Sequence, residues 1–412
     1  MREDRGREPR WLILGCFALL LVGVQLTAGQ RIRISEWHVK PETNAALEEA
    51  LQWKKGRLDL AMNDYEVART DDRRFNVVGL AFVLISLVGT TLTQLAGAAP
   101  ESFYPPYYVM LVGLPLPVAA FAAFRTVTGC SVRAAVLAGH LIIATSLLPI
   151  LEGCRGGTAG ASIYFINHLI AVTGLLIFAA DLLGPRRIWP GLIGLCLAAW
   201  SRQLTALYLL PLAWLVWRGI PAGSGSAKVG TRSVLAGAIV IAAVPMTLNY
   251  LKFGSPLDTG YGRIYEGRSD PIGLRGSERL FSTHYLAHNA AAMNLNYPSW
   301  DIRGGALYPD CSAIDGASIW LTTPILIGIA ATARSWWRDR VRRALALATL
   351  PVITGLLLYH TTGSQGAGHY RYALDFLPIW MLIIAPHAVS PRGMPWTLGC
   401  MAYSSVYFSL LP

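Results

Sequence analysis

The segment LAGAIVIAAVPMTLNYLKFGSPLDTGYG, residues 235–262, passes from a long apolar run into a turn rich in glycine and tyrosine. Its apolar part is long enough to cross roughly 30 Å of hydrocarbon as a helix. Gly254, Gly260 and Gly262 permit unusual backbone angles, and Pro256 restricts another. We therefore predict a helix that leaves a membrane here and is followed by a turn over a cleft. A plain interfacial turn without a ligand fits the same residues.

Apolar runs of this kind recur along the chain. Of its 412 residues, 53% are hydrophobic and 14% are charged, whereas an average soluble domain carries about 25% charged residues. The composition predicts an all-α, polytopic transmembrane protein of about ten to twelve spans, with residues 1–412 forming one domain. Spans are expected at residues 11–28, 134–151, 163–183, 188–217 (two short crossings), 233–249, 317–333, 344–359, 373–386 and 396–411. Residues 77–124 contain two apolar runs but must cross an odd number of times, so one run is re-entrant or interfacial.

The net charge of +11 reflects topology rather than a nucleic-acid partner. Basic residues collect in short loops between apolar runs, as the positive-inside rule describes for cytoplasmic connections. They are Arg2, Arg5, Arg7, Arg10, Arg125, Arg133, Arg186, Arg187, Arg218, Lys228, Arg232, Arg334, Arg338, Arg340, Arg342 and Arg343. The N-terminus is then cytoplasmic, residues 11–28 are a retained first span, and two large loops, 29–76 and 252–316, share the outer face.

The cysteines and the outer loops limit the chemistry. The six cysteines form no CxxC pair and no zinc-type spacing, so no metal site is predicted. Cys154 and Cys311 both fall on the outer side, where they either pair or stay free. Outer loops of this size are more typical of an enzyme at the membrane surface than of a simple permease.

The first outer loop is rich in carboxylates. Residues 43–55 have the apolar spacing of a short amphipathic helix, with Ala46, Leu47, Ala50, Leu51 and Trp53 expected toward the membrane. Glu48 and Glu49 are interpreted as solvated charges on its other side. Glu36, Glu42, Asp59 and Asp64 then remain as candidates for a working carboxylate.

Polar side chains also interrupt two apolar runs. Asn167 and His168 open one run, and Arg202 interrupts LCLAAWSRQLTALYLL, residues 195–210. A charge at membrane depth costs about 2.5–3.5 kcal/mol on insertion scales. Arg202 is therefore expected to be paired or to face a polar cavity, unless it extends to the interface from a helix end.

A third polar group precedes a late span in GSQGAGHYRYALDFLP, residues 363–378. It contains His369, Arg371 and Asp375, and the last two are four residues apart, so they can pair along one helix face. Guanidinium groups grip phosphate oxygens in a bidentate manner. These arginines and the first-loop acids together suit an anionic lipid headgroup.

Three segments resemble a recurrent bacterial family of membrane glycosyltransferase-like proteins. They are NYLKFGSPLDTGYG (249–262), RLFSTHYLAHN (279–289) and GHYRYALDFLP (368–378). The GRLDL, NDYEVARTDDRRFN and FINH segments match as well. The family falls in the GT-C superfamily, with protein O-mannosyltransferases, aminoarabinose transferases and rhizobial core-sugar transferases. Val78 and Gly79 stand where most relatives have a proline pair.

The resemblance implies a GT-C fold and an enzyme in the bacterial inner membrane. Such an enzyme transfers a sugar from a polyprenyl-phosphate donor to a glycan, lipid or protein acceptor on the outer face. The resemblance carries the family's first-loop aspartate onto Asp64, its arginine between two short spans onto Arg202 and its late RY pair onto Arg371 and Tyr372. The catalytic carboxylate is then Asp64 or, as the alternative, Glu42. The candidate substrate-binding residues are Arg57, Asn167, His168, Arg202, His369, Arg371 and Tyr372. No cofactor is required, although the carboxylates would accept a divalent cation.

The expected mechanism is a single inverting displacement. A first-loop carboxylate removes the proton of the acceptor hydroxyl, Arg202 and Arg371 stabilise the departing lipid phosphate, and His168 or His369 orients that phosphate. Two other classes stay open: a lipid-linked saccharide transporter or flippase, which should show paired repeats, and a non-catalytic membrane assembly protein.

Overall fold

Helices account for most of the computed structural model, which confirms the helical class predicted from the sequence. The structure describes residues 8–28, 44–61, 67–77, 79–100, 114–153, 159–184, 187–218, 229–265, 280–297, 300–303, 306–309, 316–363 and 369–411. Outside these ranges lie the candidate carboxylates Glu36, Glu42 and Asp64, the cysteines Cys154 and Cys311, Val78, and the basic residues Arg2, Arg5, Arg7, Arg186 and Lys228.

The helices follow one another in the order of the predicted apolar runs. In the first half they are α1 Arg10–Ala28, α2 Ala45–Lys54, α3 Leu80–Leu95, α4 Pro115–Thr128, α5 Ser131–Ile143, α6 Leu147–Gly153, α7 Ala159–Leu183 and α8 Trp189–Ser201. In the second half they are α9 Leu209–Trp217, α10 Val229–Phe253, α11 Tyr261–Tyr265, α12 Leu286–Asn294, α13 Ile319–Thr322, α14 Gly328–Ala331, α15 Ala333–Arg338, α16 Arg340–Leu357, α17 Leu377–Ala388 and α18 Met394–Ser409.

Short 3₁₀ helices and two hairpins complete the described structure. The 3₁₀ helices are Gln203–Tyr208, Thr283–Tyr285, Pro324–Ile327 and Arg371–Asp375. The first hairpin pairs β1 Val67–Thr70 with β2 Arg73–Asn76, and the second pairs β3 Trp300–Arg303 with β4 Ala306–Pro309; both pairings are antiparallel. The first hairpin lies in the predicted first outer loop and the second in the predicted later one.

Helices α7 and α8 pack closely at the centre of the core. A Cβ atom added at Gly174 would lie 2.3 Å from the carbonyl oxygen of Gly194, and one at Gly194 would lie 2.5 Å from that of Gly174. Small residues that let two backbones approach in this way are typical of helix crossings in membrane proteins. This close crossing holds the C-terminal end of α8, where the polar site begins.

Two of the described helices are long and apolar enough to cross a membrane, judged by length and composition. Phe165–Leu183 is mostly buried within the protein, whereas Arg232–Phe253 is mostly exposed. Large apolar side chains are exposed on α1, α10 and α18, among them Leu19, Leu235 and Val406. The outside of the helix assembly therefore presents apolar surface as well as the inside.

The predicted break in residues 188–217 is confirmed, but two other predicted spans are not single helices. The run 134–151 divides into α5 and α6, and the run 317–333 divides into α13, the 3₁₀ helix Pro324–Ile327, α14 and α15. Thr323 is not helical, with φ −136° and ψ 66°. The ring of Pro324 disfavours the helical conformation for the residue before it, which explains the interruption.

The predicted amphipathic helix of the first loop is confirmed as α2, and its apolar face packs against another helix. Asn44 caps the helix, because its side-chain oxygen accepts a hydrogen bond from the amide of Leu47 at 3.1 Å. Ala46, Leu47 and Ala50 are buried in the main core, where α2 packs on α3. Helix α3 thus covers this face, and its placement relative to the membrane stays a prediction.

Candidate functional site

Arg202 stands at the break between two helices. Its amide donates to the carbonyl of Ala198 at 2.7 Å, which ends α8, and its own carbonyl accepts from the amide of Thr205 at 2.9 Å, which starts the 3₁₀ helix. Between these two bonds the backbone of Arg202 is extended. The long side chain is thereby directed sideways out of the helix pair rather than along it.

Arg202 forms a buried ion pair with Asp375. The Nε atom of Arg202 lies 3.0 Å from Oδ1 of Asp375, and its Nη2 lies 2.9 Å from Oδ2, which is a bidentate arrangement. The Asp375 side chain is 1% exposed and the Arg202 side chain 23% exposed. The hydroxyl of Tyr208 donates to the backbone carbonyl of Asp375 at 3.0 Å and anchors the acid from the same 3₁₀ helix.

The expected pairing of Arg371 with Asp375 is wrong. Residues Arg371–Asp375 form a 3₁₀ helix, which has three residues per turn instead of 3.6. Residues four apart in such a helix point about 120° away from each other. Asp375 consequently turns toward Arg202, and Arg371 points elsewhere.

Arg371 and Arg202 lie against the same aromatic ring. The guanidinium carbon of Arg202 is 4.7 Å from the centre of the Tyr372 ring, and that of Arg371 is 5.5 Å from it. Arg371 also lies 5.9 Å from the ring of Phe165. Among the described residues, Arg371 has no carboxylate partner, and its buried Nε has no hydrogen-bond partner. It is a cation held by aromatic faces.

The other predicted site residues on α7 and before the last spans gather around this group. His168 is buried, with Nδ1 4.0 Å from Oδ1 of Asp375 and its ring 6.1 Å from that of Tyr372. Asn167, beside it on α7, is also buried. His369 is buried with its ring 5.8 Å from that of Phe408. The structure thus brings the FINH segment to the Arg202–Asp375 pair, and His369 lies between this group and Phe408 of α18.

A cavity of about 100 Å³ adjoins the ion pair; we call it the Arg202 cavity. Its lining residues come from several distant segments and include Ser201, Arg202, Gln203, Thr259, Tyr261 and Asp375. A second cavity of about 60 Å³, the Lys252 cavity, lies between α3, α8 and α10. Val77, Gly79, Gln203 and Thr259 line both, so the two cavities adjoin each other.

The glycine-rich turn after α10 forms one wall of this cleft. Gly254 and Gly260 have φ values of +75° and +76°, a region that favours glycine. A Cβ at Gly260 would lie 2.5 Å from the ring of Phe253 and 2.7 Å from Val77. Because Thr259 next to it lines both cavities, the prediction of a turn over a cleft is confirmed.

Glu49 lies in the Lys252 cavity, not in solvent as the sequence indicated. Its side chain is 1% exposed and its Oε1 lies 2.6 Å from Nζ of Lys252, which is 8% exposed. Its Oε2 accepts from the side-chain amide of Asn76 at 2.7 Å, and Lys252 donates to the Asn76 carbonyl at 3.0 Å. The expectation failed because Glu49 is buried on the same side of α2 as Ala45 and Ala46, not opposite them.

Arg57 is the predicted substrate-binding residue that the structure keeps apart from this group. It is exposed and donates two hydrogen bonds to Asp59, at 2.6 and 3.3 Å. These bonds, with the charge of Arg57, lower the pKa of the Asp59 carboxyl below its ordinary value. Asp59, one of the candidate acids, is thus a paired surface carboxylate.

Sequence reasoning missed the second ion pair and part of the cleft. Lys252 follows an apolar span directly, and a lysine there reads as an interfacial residue unless a buried acid is known to face it. Ser201 and Gln203 flank Arg202 and line its cavity. Their position beside Arg202, an arginine inside an apolar run, is the sequence feature that could have identified them as site residues. Among the described residues, no group of three or more His, Cys, Asp or Glu side chains is placed to hold a metal ion.

No protein-family model matches the sequence, and no curated protein matches it. Among solved structures, the chain is similar to the apo oligosaccharyltransferase of Archaeoglobus fulgidus, with a TM-score of 0.50 and 11% identity. That similarity covers 98% of this chain and 56% of the oligosaccharyltransferase. The chain therefore shares the fold of part of this structure over most of its own length, at a sequence identity that shows the fold alone.

Two further solved structures are similar to the chain at a lower TM-score. One is ArnT from Cupriavidus metallidurans bound to undecaprenyl phosphate, at 15% identity and a TM-score of 0.47 over 95% of this chain and 63% of ArnT. The other is the oligosaccharyltransferase AglB from Archaeoglobus fulgidus, in complex with an inhibitory peptide and a dolichol-phosphate. It matches at 13% identity and a TM-score of 0.47 over 97% of this chain and 55% of AglB. The chain spans roughly three fifths of the length of these proteins.

Proposed function

We propose that the chain is an integral membrane glycosyltransferase that moves a sugar from a polyprenyl-phosphate donor to an acceptor hydroxyl. The GT-C fold supports transfer of this class, and the apolar exterior of α1, α10 and α18 suits a bilayer. ArnT and AglB were solved with undecaprenyl phosphate and a dolichol-phosphate, respectively. A lipid phosphate is therefore the donor class we propose here.

The proposed location is the bacterial inner membrane, with several spans, a cytoplasmic N-terminus and both large loops outside. The basic residues in short loops support this orientation. The Arg202 cavity is lined by Tyr261 and Phe281 from the second large loop and by Val77 from the end of the first. A site at the outer surface is consistent with that lining.

One observation carries the proposal: the guanidinium of Arg371, which has no carboxylate partner among the described residues, lies beside the charge-balanced Arg202–Asp375 pair. Asp375 already neutralises Arg202, so a phosphate anion gains most from Arg371. The ring of Tyr372 lies against both arginines and holds them on one side of the site. We assign lipid-phosphate binding to Arg371 and the positioning of Asp375 and Tyr372 to Arg202.

The proposed reaction is one displacement at the anomeric carbon of the donor sugar. The acceptor oxygen forms the new bond to that carbon as the bond to the phosphate oxygen breaks, which inverts the configuration. The lipid phosphate leaves with the electron pair, and Arg371 stabilises its charge. Asp64 or Glu42 takes the proton of the acceptor hydroxyl. We propose no required cofactor, and transfer measured with and without a chelator tests this.

The test is sugar transfer by the purified chain from a radiolabelled polyprenyl-phosphate sugar to a panel of glycan, lipid and peptide acceptors. We expect Arg371→Gln to lower transfer by about 10²–10³-fold, the size typical of losing one charge-stabilising donor. The matched control is Arg338→Gln, which removes an exposed arginine from α15 and should leave transfer unchanged. Undiminished transfer by Arg371→Gln would refute its role.

The base is tested in the same assay. Asp64→Asn and Glu42→Gln remove the two candidate carboxylates one at a time while keeping their size. One of them should abolish transfer while binding of the lipid phosphate persists, because a base acts on the acceptor rather than on the donor. Full activity in the double variant would refute the assignment of both.

A further inference from the structure

The Arg202 cavity contains polar groups that the ion pair does not use. Ser201 is 8% exposed, and its hydroxyl oxygen is buried. Among the described residues this oxygen has no hydrogen-bond partner. Buried hydroxyl groups are normally satisfied. An unsatisfied one in a cavity wall indicates that a ligand or water completes its bonding.

Two more groups in the same wall have spare bonding capacity. The side chain of Gln203 is exposed where the two cavities meet, and an amide offers both a donor and an acceptor. The carboxylate of Asp375 accepts three bonds from Arg202, whereas a carboxylate has about four lone-pair positions. A ligand here meets both hydrogen-bond donors and acceptors, and a hydroxyl group can bond to either.

The charges that line both cavities cancel. Arg202 is balanced by Asp375, and Lys252 in the adjoining cavity is balanced by Glu49. An ammonium or carboxylate on the ligand would therefore be buried here without a counter-ion, which is costly. The cavity favours a ligand that is rich in hydroxyl groups and carries no charge of its own.

Aromatic rings supply the remaining surface. Tyr261, Phe281 and Tyr359 line the cavity, and the rings of Phe281 and Tyr359 pack 5.3 Å apart. Tyr359 in turn lies 6.0 Å from Tyr372, the ring shared by the two arginines. Apolar walls with a few placed polar groups are the usual design of a site for a small organic ligand.

We propose that the Arg202 cavity binds the sugar ring of the donor and selects a neutral, hydroxyl-bearing sugar over one with an amino or carboxyl group. The inference depends on the proposed function, because Tyr372 joins the cavity to the lipid phosphate held by Arg371. The anomeric carbon is one bond from that phosphate, so the sugar ring must lie next to it. Ser201 and Gln203 bind its hydroxyl groups.

The test compares binding of four ligands to the full chain in detergent: bare polyprenyl phosphate, and polyprenyl phosphate carrying a neutral hexose, an amino sugar or a uronic acid. We expect the neutral hexose donor to bind about tenfold more tightly than the bare lipid, as two net hydrogen bonds would produce. The two charged donors should bind no more tightly than the bare lipid. A preference for either charged donor overturns the inference.

The variants Ser201→Ala and Gln203→Leu should each remove part of the gain and leave the affinity for bare polyprenyl phosphate unchanged. Gln203 is exposed, so its variant keeps the test valid if the buried Ser201→Ala does not fold. Thr91→Val, on the exposed face of α3, is the control and should keep the full gain. If the gain survives both variants, the cavity is not the sugar site. If bare polyprenyl phosphate does not bind at all, the proposed function itself fails.

Discussion

Two buried ion pairs adjoin the same cleft, and they differ in what else their charged groups contact. Arg202–Asp375 and Lys252–Glu49 each join segments far apart in the chain, at 2.9 and 2.6 Å. Both members of the Lys252–Glu49 pair also bond to one residue, Asn76, through its side chain and its carbonyl. The pair therefore connects α2, the end of β2 and the end of α10 in one closed set of bonds.

The Arg202–Asp375 pair, by contrast, lies beside a polar group that has no hydrogen-bond partner among the described residues. Arg202 keeps one face on the ring of Tyr372, and the unsatisfied hydroxyl of Ser201 lies next to it in the chain. A buried ion pair can therefore either hold a loop in place or present groups to a ligand. The bonds made around the pair, rather than the pair itself, indicate which it does.

The largest effect is expected from breaking the Arg202–Asp375 pair. Asp375→Asn leaves the Arg202 charge without its partner, which should cost about 3–5 kcal/mol in the free energy of unfolding and abolish transfer. The double variant Arg202→Met with Asp375→Leu should recover stability but not transfer. Stability is measured by thermal unfolding in detergent and transfer by the radiolabel assay. Recovery of transfer in the double variant would make the pair purely structural.

Breaking the Lys252–Glu49 pair should also destabilise the protein, but here a second substitution should restore transfer together with stability. Lys252→Met leaves Glu49 charged and buried without its cation, again at about 3–5 kcal/mol. Adding Glu49→Gln removes the charge and keeps an acceptor for Asn76, so stability and most of the transfer activity should return together. Persistent loss of transfer in this stable double variant would mean that Lys252 or Glu49 contacts the substrate.

Gly79 tests whether the two pairs are coupled through the cleft. It lines both cavities, and a Cβ there would lie 2.6 Å from the carbonyl oxygen of Trp200, 2.8 Å from Cα of Ser201 and 2.9 Å from Oδ1 of Asn167. Gly79→Ala should cost about 1–3 kcal/mol of stability through overpacking and lower transfer. Gly15→Ala is the control, because a Cβ there meets nothing within 4 Å. Equal transfer by the two variants would contradict the coupling.

The smallest effect is expected at a partly exposed pair far from the cleft. Glu8 accepts hydrogen bonds from the amide and hydroxyl of Ser131, at 3.0 and 2.6 Å, and lies 3.5 Å from Arg125. These bonds, the hydroxyl bond first, lower the pKa of Glu8. A carboxyl with a lowered folded-state pKa contributes stability above its unfolded pKa and loses it as the pH falls through the folded value.

Glu8→Gln should therefore cost about 0.5–1 kcal/mol at pH 7, the size of a helix cap, and nothing at low pH, where the wild-type carboxyl is protonated too. Thermal unfolding of both proteins across pH 3–7 measures the difference. A cost that stays constant over this range would show that charge is not the cause.

Individual positions show where sequence reasoning succeeded and failed. The break at Arg202 was predictable, because a charge inside an apolar run requires a polar partner wherever the run is buried. The identity of its partner was not predictable, since Asp375 lies 173 residues away in the chain. The predicted pairing of Asp375 with Arg371, which is nearer in the chain, was wrong because the local backbone is a 3₁₀ helix rather than an α-helix. The interpretation of Glu49 as a solvated charge was wrong. A buried carboxylate is costly unless a cation lies beside it, and the cation here, Lys252, is distant in the sequence. The roles of Asp64 and Glu42 stay predictions.

The amino-acid sequence alone determined the helical class, the apolar runs, the break near Arg202 and the turn after α10, because each follows from interactions between residues close in the chain. The ion pairs Arg202–Asp375 and Lys252–Glu49, the burial of Glu49 and the position of Arg371 apart from Asp375 became clear from the tertiary structure. Those outcomes depend on the burial of groups more than a hundred residues apart. The energy of a charge in a protein is set by what surrounds it rather than by its neighbours in sequence.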